Sequence, residues 1–181
     1  MSLRHAILVL LKDQEASGYD LAREFANTIG LVWNATHQQI YLELSKLSES
    51  GMVQYQHIPQ DGKPDKKLYR ITELGKEELV RWLHKPVQLA RTRDAFMVKI
   101  AGGDLTDIEP LLGELHQLAV QRRERLAIFE RLQRQAQLDN NADSVFNYLV
   151  LRRGILDQQA WLKWADEVSE ILQRNAESVA V

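Results

Sequence analysis

The stretch of the sequence best suited to recognition chemistry runs from Thr36 to Met52. Thr36 is a favourable helix N-cap, because its hydroxyl can accept a hydrogen bond from a free N–H group of the first turn. Gly51 is a favourable helix end, because glycine adopts the left-handed conformation without steric cost. The apolar residues between them recur at helical spacing and predict an inward face: Ile40, Leu44 and Leu47.

The opposite side of this predicted helix has hydrogen-bonding groups without a strong charge. They are His37, Gln38, Tyr41, Ser45 and Ser48. A helix that presents uncharged donors and acceptors near its N-terminus suits the reading of base edges in a DNA major groove. An ordinary amphipathic surface helix has a similar polar face, so this stretch alone leaves both interpretations open.

The predicted helix that Thr36 caps and Gly51 ends is called the reading helix below. Two predicted helices precede it and complete a three-helix unit. The first spans Ser2 to Lys12, and residues 13–16 are polar and typical of a loop. Ser17 can cap the second helix, with Asp20 three positions on as a variant of the capping box. Gly30 is predicted to end it. Three short helices, of which the third is polar on one side, indicate a helix-turn-helix.

A β-hairpin is predicted directly after the reading helix. Residues 53–58 alternate in polarity, with Val53, Tyr55 and His57 on one face, and residues 67–71 form the returning strand. The Asp61-Gly62 turn between them is a strong hairpin pattern. The tip and the returning strand have a local excess of cations over Asp61 and Asp65: Lys63, Lys66, Lys67 and Arg70. We interpret the hairpin as a wing, followed by a helix that Thr72 caps and that ends before Pro86.

The second half of the chain is predicted to be long helices. A helix from Arg91 to Ala101 is broken by Gly102-Gly103, and Asp104 is the predicted cap of a helix from Leu105 to Ala136. That helix has a heptad-like seam interrupted once, at Arg122. A last helix is predicted over 143–173. Two antiparallel helices cannot bury both apolar faces on each other, which predicts a homodimer; packing against the first domain is the alternative.

Composition restricts the class of protein. The chain has 181 residues, 45% of them hydrophobic, which suffices for one large domain or two small ones. It has no cysteine, no apolar run of membrane-spanning length and no signal-peptide pattern, so we expect a cytoplasmic protein without membrane partners. The net charge of −2 argues against a uniformly basic nucleic-acid binder, but phosphate affinity depends on where the cations lie.

Catalytic and metal-binding patterns are missing from the sequence. The histidines are scattered, without a His-x-x-x-His pair on one predicted helix or an obvious set of carboxylate partners. Gly102-Gly103 precedes a helix but lacks the preceding strand and the spacing of a phosphate-binding loop. We therefore expect no enzyme activity, no catalytic residue, no metal ion and no cofactor.

The order and spacing of these motifs resemble the PadR family of bacterial transcription regulators. The resemblance rests on Gly18-Tyr19-Asp20-Leu21, Ile40-Tyr41 with Leu44 and Leu47, Gly51 with Val53, and Tyr69-Arg70-Ile71-Thr72 with Gly75. The C-terminal half is similar to the virulence-activator-type dimerisation domain of many members. The resemblance implies a homodimeric winged helix-turn-helix regulator, most often a repressor, on an inverted repeat. Gln38-Gln39 replaces the small residue pair of many members, so no operator sequence follows from it.

The candidate DNA contacts lie on the reading helix and the wing. Gln38 is the first candidate for base readout, because a side-chain amide can pair bidentately with adenine, and Gln39 is the second. The Tyr41 hydroxyl can hold a phosphate, although packing of its ring is the alternative. The other candidates suit contacts that position the protein without specifying a sequence: Asn34, Thr36, His37, Lys46, Lys63, Lys66 and Lys67. For the wing lysines, a solvated hairpin tip is the alternative.

The tryptophans are candidates for a ligand pocket between domains or subunits. Flat apolar effectors stack well on indoles, and the family that the chain resembles has phenolic-acid-responsive and drug-responsive members. The candidates are Trp33, Trp82, Trp161 and Trp164. The alternative is that they are core or interface anchors, which the i, i+3 spacing of Trp161 and Trp164 favours.

The sequence thus predicts a mainly α protein with a small β-hairpin wing. We expect a winged helix-turn-helix DNA-binding domain over residues 1–85 and an antiparallel long-helix dimerisation domain over 90–178. The expected partners are double-stranded DNA, a second copy of the chain and, as a further candidate, a small aromatic effector. The alternative from another functional class is a protein–protein adaptor that kept the winged fold but lost DNA binding.

Overall fold

The computed structural model describes residues 3–27, 35–59, 65–87, 93–138 and 142–179. The chain divides into two compact units, residues 1–90 and 91–181, each with its own buried core. The described residues are mainly helical with one small antiparallel sheet, which confirms the predicted fold class. A search of the described helices finds none that combines the length and the apolar character of a membrane span.

The described residues of the first unit form four helices and three short strands. In chain order they are α1 (Leu3–Leu10), β1 (Ala16–Ser17), α2 (Gly18–Asn27), α3 (His37–Glu49), β2 (Val53–Ile58), β3 (Lys66–Ile71) and α4 (Glu73–Leu83). The strands form an antiparallel sheet in the order β1-β3-β2. Strand β1, in a stretch predicted as a loop, was missed because its two residues show no alternation and pair with the distant residues Tyr69 and Leu68.

The core of the first unit lies between the helices and one end of the sheet. Side chains from α1, α2, α3, β2, β3 and α4 are buried there, among them Ile7, Leu8, Leu21, Phe25, Ile40, Leu44, Leu47, Val53, Tyr69 and Leu79. Only the first residue of β2 reaches this core: Val53 is buried, whereas Tyr55 and His57 are exposed.

The described part of the second unit contains one short α-helix and two long ones. They are α5 (Ala95–Ala101), α6 (Ile108–Leu138) and α7 (Ala142–Val179). Helix α5 begins at Ala95 rather than Arg91, because the Asp94 carboxylate accepts hydrogen bonds from the N–H groups of Phe96 and Met97 at 3.0 and 3.3 Å. The predicted cap at Asp104 is wrong: Gly103–Leu105 form a 3-10 turn, and α6 starts after it.

Helices α6 and α7 pack antiparallel along a buried seam. Arg122 of α6 contacts Gln158 of α7, and further along α6 Phe129 lies against the earlier residue Gly154. The seam contains the predicted residues Leu115, Ala119 and Phe129. Packing on α6 does not bury all of the apolar surface of α7. Several of its apolar residues are exposed in the single chain: Val145, Phe146, Leu149, Val150, Leu156 and Ile171.

Two helical glycines of the second unit provide a test of this packing. A Cβ at Gly154 would lie 2.5 and 2.8 Å from Cζ and Cδ1 of the buried Phe129 ring, whereas a Cβ at Gly113 would meet nothing within 4 Å. We expect Gly154→Ala to lower the free energy of unfolding, because overpacking costs about 1–3 kcal/mol. Gly113→Ala, the matched control, should raise it by up to about 1 kcal/mol through helix propensity. Chemical denaturation at fixed protein concentration measures the free energy of unfolding of both variants. If both changes raise it, the packing of Phe129 against Gly154 is contradicted.

Candidate nucleic-acid interface

Helix α3 begins at a capping box. The Thr36 hydroxyl accepts a hydrogen bond from the Gln39 N–H at 3.2 Å, and the Gln39 Oε1 accepts one from the Thr36 N–H at 2.9 Å. The predicted N-cap at Thr36 is therefore confirmed. The reciprocal bond gives Gln39 a structural role that the sequence analysis did not predict. Its carbonyl oxygen already accepts one hydrogen bond within the capping box, whereas its NH₂ group makes none within the described part of the chain.

The end of α3 is fixed by hydrogen bonds and one left-handed residue. Gly51 has a φ of +70°, its N–H donates to the Ser48 carbonyl at 3.0 Å, and the Met52 N–H donates to the Leu47 carbonyl at 2.9 Å. This is a Schellman motif, as the glycine predicted. The Thr72 hydroxyl also donates to the Gly51 carbonyl at 2.7 Å, which connects the end of α3 to the cap of α4.

The rotation of α3 about its axis is set by its buried side. Ile40, Leu44 and Leu47 are almost completely buried. His37, Gln38, Tyr41 and Ser45 are consequently exposed on the opposite side, and Ser48 is half-buried. Within the described part of the chain, the Gln38 side chain makes no hydrogen bond, so its amide is available to a ligand.

The ring of Tyr41 packs against the start of the second helix, α2. It lies against Gly18, the first residue of α2, where a Cβ would be 3.1 and 3.2 Å from the ring carbons Cζ and Cδ1. The residue is still 44% exposed. The absence of a side chain at Gly18 thus lets the two helices of the helix-turn-helix approach each other while part of the tyrosine faces solvent.

The candidate lysines of the described residues have different surroundings. Lys46 lies on α3 and pairs with Glu43 at 3.5 Å; the lysine is exposed, whereas Glu43, which also pairs with Arg4, is half-buried. The Lys66 Nζ donates to Asp20 Oδ2 at 2.9 Å. The Lys67 Nζ lies 4.3 Å from the centroid of the Tyr55 ring.

Asp20 connects Lys66 to the start of α2. The Ser17 hydroxyl accepts from the Asp20 N–H at 3.1 Å and donates to the Asp20 carboxylate at 2.6 Å, which confirms Ser17 as the cap. The hydrogen bonds from Ser17 and Lys66 hold the pKa of Asp20 below its usual value. The structure therefore brings Lys66 to the second helix, an arrangement that the sequence did not indicate.

An aromatic group beside α3 was also missed. The ring centroids of Tyr55 and Tyr69 are 5.5 Å apart, and His57 meets Tyr55 edge-on at 5.3 Å. Burial raises the pKa of Tyr69, and the nearby phenols of Tyr55 and Tyr41 add to this rise. The alternation in β2 predicted a strand with Tyr55 and His57 on one face, but it did not predict their contact with Tyr69. The hairpin register, which places Tyr55 opposite Tyr69, is the feature that could have revealed the group.

The tryptophans of the described residues lie in separate clusters. Trp82 stacks on His5 in the first unit, with ring centroids 4.5 Å apart and planes 9° from parallel. Burial lowers the pKa of His5, against the opposing effect of Glu78. In the second unit Trp161 and Trp164 are 5.5 Å apart, and Phe96 lies 6.3 Å from Trp164.

Arg122 adds a half-buried cation to the second tryptophan cluster. Its guanidinium lies 4.8 Å from the Trp161 centroid and donates to Gln158 Oε1 at 3.2 Å. Gln158 is 6% exposed. Desolvation lowers the pKa of Arg122, and Asp94 opposes this shift electrostatically. Arg122, which interrupts the predicted heptad seam, thus makes a cation–π contact with Trp161.

Three predicted site residues lie outside the described residues: Trp33, Asn34 and Lys63. Of the others, Thr36, His37, Gln38, Gln39, Tyr41 and Lys46 lie on α3 or its cap, and Lys66 and Lys67 lie on β3.

The two neighbouring glutamines of α3 provide a test of the capping box. Gln39→Ala removes the bond from the Thr36 N–H, whereas Gln38→Ala removes no hydrogen bond that the described residues make. Both changes introduce alanine at an exposed helical position. We therefore expect Gln39→Ala to be less stable than Gln38→Ala by about 0.5–1.5 kcal/mol in chemical denaturation. Equal stability of the two variants contradicts the structural role of Gln39.

Comparisons with known proteins agree with this geometry. Residues 7–81 match the model of the transcriptional regulator PadR-like family, and residues 92–173 match the model described as virulence activator alpha C-term. The chain is 37% identical, over 187 residues, to the probable transcriptional regulator Rv1176c of Mycobacterium tuberculosis, with 96% of this chain and 98% of that protein covered.

Two solved structures are similar over nearly the whole chain. PadR of Bacillus subtilis in complex with operator DNA has a TM-score of 0.82 and 29% identity, with 94% of this chain and 98% of that chain covered. The virulence activator AphA of Vibrio cholerae has a TM-score of 0.78 and 32% identity, with 96% and 99% covered. The matched family and these relatives are regulators, which confirms that the chain is not an enzyme. The chain belongs to the PadR-like family of transcriptional regulators.

Proposed function

We propose that this regulator binds double-stranded DNA as a homodimer, at an inverted-repeat operator, and represses transcription by occluding a promoter. The observation that supports this most directly is the exposed, uncharged polar side of α3 opposite its fully buried apolar side. The negative transcriptional regulator PadR of Bacillus subtilis, 29% identical over 96% of this chain, has been solved with operator DNA. A repressor role and a DNA partner are inferred for this chain from that similarity.

DNA binding and dimerisation are proposed to belong to different units of the chain. Residues 1–85 are proposed as the DNA-binding domain and residues 90–178 as the dimerisation domain. Support for the second assignment comes from the exposed apolar residues near the start of α7, which recur at helical spacing: Val145, Phe146, Leu149 and Val150. A patch of this kind on a long helix is suited to burial against a second copy of the chain.

The side chains of α3 are proposed to have separate roles. Gln38 reads a base edge, because both ends of its amide are available for a bidentate contact. Gln39 contributes through its NH₂ group, because its carbonyl oxygen already serves the capping box. The remaining candidates are proposed to hold the DNA backbone: Asn34, Thr36, His37, Tyr41, Lys46, Lys63 and Lys67. Lys66, whose ammonium is bound to Asp20, is proposed to position the wing instead.

Substitution of Gln38 tests base readout. We expect Gln38→Ala to cost about 1–3 kcal/mol of binding free energy at the operator and nothing on a scrambled duplex, because a base contact discriminates sequence. Fluorescence anisotropy with both duplexes measures this. Gln117→Ala, an exposed glutamine of α6, is the matched control and should change neither affinity.

An equal loss on both duplexes contradicts the base-reading role of Gln38. Wild-type protein whose affinity for random duplex shows almost no dependence on salt contradicts DNA binding altogether. That outcome favours an adaptor with a winged fold, since neutralisation of phosphates releases counterions and gives a steep slope.

An aromatic acid is proposed as the effector. PadR of Bacillus subtilis has been solved with p-coumaric acid. In this chain, Trp161 and Trp164 offer ring faces and edges, and the half-buried Arg122 offers a cation against the Trp161 ring. A ligand with an aromatic ring and a carboxylate fits this combination, because stacking and a charge-assisted hydrogen bond act together. Trp82, which stacks on His5 in the first unit, and Trp33, which lies outside the described residues, remain candidates.

Titration with aromatic acids tests the effector proposal. We expect p-coumaric acid or a related acid to quench tryptophan fluorescence and to weaken binding to the operator. Arg122→Gln should raise the acid concentration needed for half-maximal quenching roughly tenfold, as expected for a lost hydrogen bond between charged groups. Arg125→Gln in the same helix is the control and should leave it unchanged. A wild-type protein that responds to none of the acids contradicts the proposal.

A further inference from the structure

We infer that the wing contacts DNA through one face only. The side chains of Tyr55 and Lys67, together with Tyr41 of α3, form a surface that binds backbone phosphate, which we call the tyrosine surface. Lys66, on the opposite face of the hairpin, fastens the wing to α2 instead. This inference rests on the proposed function, because it names the groups through which the DNA backbone is held.

The hairpin register separates the two lysines. Successive side chains of a strand point to opposite faces, and residues paired directly across strands share a face. Tyr55 is paired with Tyr69, and His57 with Lys67, so these four residues share one face. Lys66, which is paired with Ile58, lies on the other face.

The face with Lys67 is the one turned toward α3. Tyr69 belongs to it and is buried in the core to which α3 contributes Ile40, Leu44 and Leu47. Tyr55 is in ring contact with Tyr69 at 5.5 Å, and α3 packs against β2. The phenol of Tyr41, on α3, also helps to raise the pKa of Tyr69. The exposed phenols of Tyr41 and Tyr55 are therefore placed on the side of the wing next to the proposed reading helix.

The chemistry of the tyrosine surface suits a phosphodiester. Tyr41 and Tyr55 are 44% and 38% exposed, and each has a neutral hydroxyl that can donate to a phosphate oxygen. The Lys67 ammonium lies over the Tyr55 ring, and no described residue forms an ion pair with it. One cation with adjacent hydroxyl donors can neutralise and orient a single backbone phosphate.

Lys66 is already engaged within the protein. Its ammonium is 2.9 Å from the Asp20 carboxylate, which also accepts a hydrogen bond from the Ser17 hydroxyl at 2.6 Å. A phosphate bound to Lys66 would compete with this carboxylate. The contact joins β3 to the first turn of α2 and so positions the wing relative to the helix-turn-helix.

The alternative is that Tyr55 only packs against its neighbours, since cross-strand aromatic pairs stabilise hairpins. The change Tyr55→Phe separates the two roles, because it keeps the ring contacts with Tyr69, His57 and Lys67 and removes only the hydroxyl. Tyr148→Phe, in α7, is the matched control. Thermal melting of each variant checks that the fold is retained.

The experiment measures affinity of the full-length protein for random-sequence duplex as a function of salt concentration. We expect Lys67→Ala to reduce the log–log salt slope by about one for each bound subunit, because one phosphate contact is lost. Lys66→Ala should lower the melting temperature and leave the slope unchanged. Tyr55→Phe should weaken binding roughly three- to tenfold without changing the slope, because it removes a neutral donor. Tyr148→Phe should change neither quantity.

Wild-type protein without salt-dependent binding overturns the proposed function itself. If wild type binds but Lys67→Ala and Tyr55→Phe bind equally well, the tyrosine surface is overturned and the proposed function stands. If Lys66→Ala reduces the salt slope as much as Lys67→Ala does, the inference that the wing contacts DNA through one face only is overturned. Lys67→Gln, which keeps most of the aliphatic stem over Tyr55, should reproduce the slope of Lys67→Ala and distinguishes lost charge from lost packing.

Discussion

Burial of Ile40, Leu44 and Leu47 is the constraint on which the rest of the molecule depends. Each such side chain stabilises the fold by about 1.5–3 kcal/mol when it is removed from water, so α3 cannot rotate about its axis without losing most of that energy. The capping box and the Schellman motif fix where the helix starts and ends. The exposed position of Gln38 is thus a consequence of apolar packing on the other side.

The wing is held from two directions. The Tyr69 ring is buried in the core, and on the opposite face Lys66 is bound to Asp20 of α2. These contacts leave Tyr55 and Lys67 beside α3. Such a surface explains how a chain with a net charge of −2 can be suited to DNA, because neutral amide and hydroxyl donors supply contacts that a few local cations complete. In the proposed dimer each of these contacts occurs twice.

Features that depend on neighbouring residues could be predicted from the sequence, and features that depend on distant ones could not. Thr36, Gly51 and the i, i+4, i+7 spacing define α3 within one stretch. Strand β1 and the contact between Lys66 and Asp20 require partners about fifty residues away in the chain, which no local pattern contains. The cap at Asp104 failed because a 3-10 turn competes with a helix start after two glycines.

Selection of bound sequences from a random duplex pool, with the full-length protein, tests the central claim most directly. The account predicts enrichment of a two-fold symmetric site whose half-sites are about 10 base pairs, or a multiple of one helical turn, apart, because two α3 helices must enter successive major grooves on one side of the DNA. A pool in which no sequence is enriched, although the protein is folded, would contradict it.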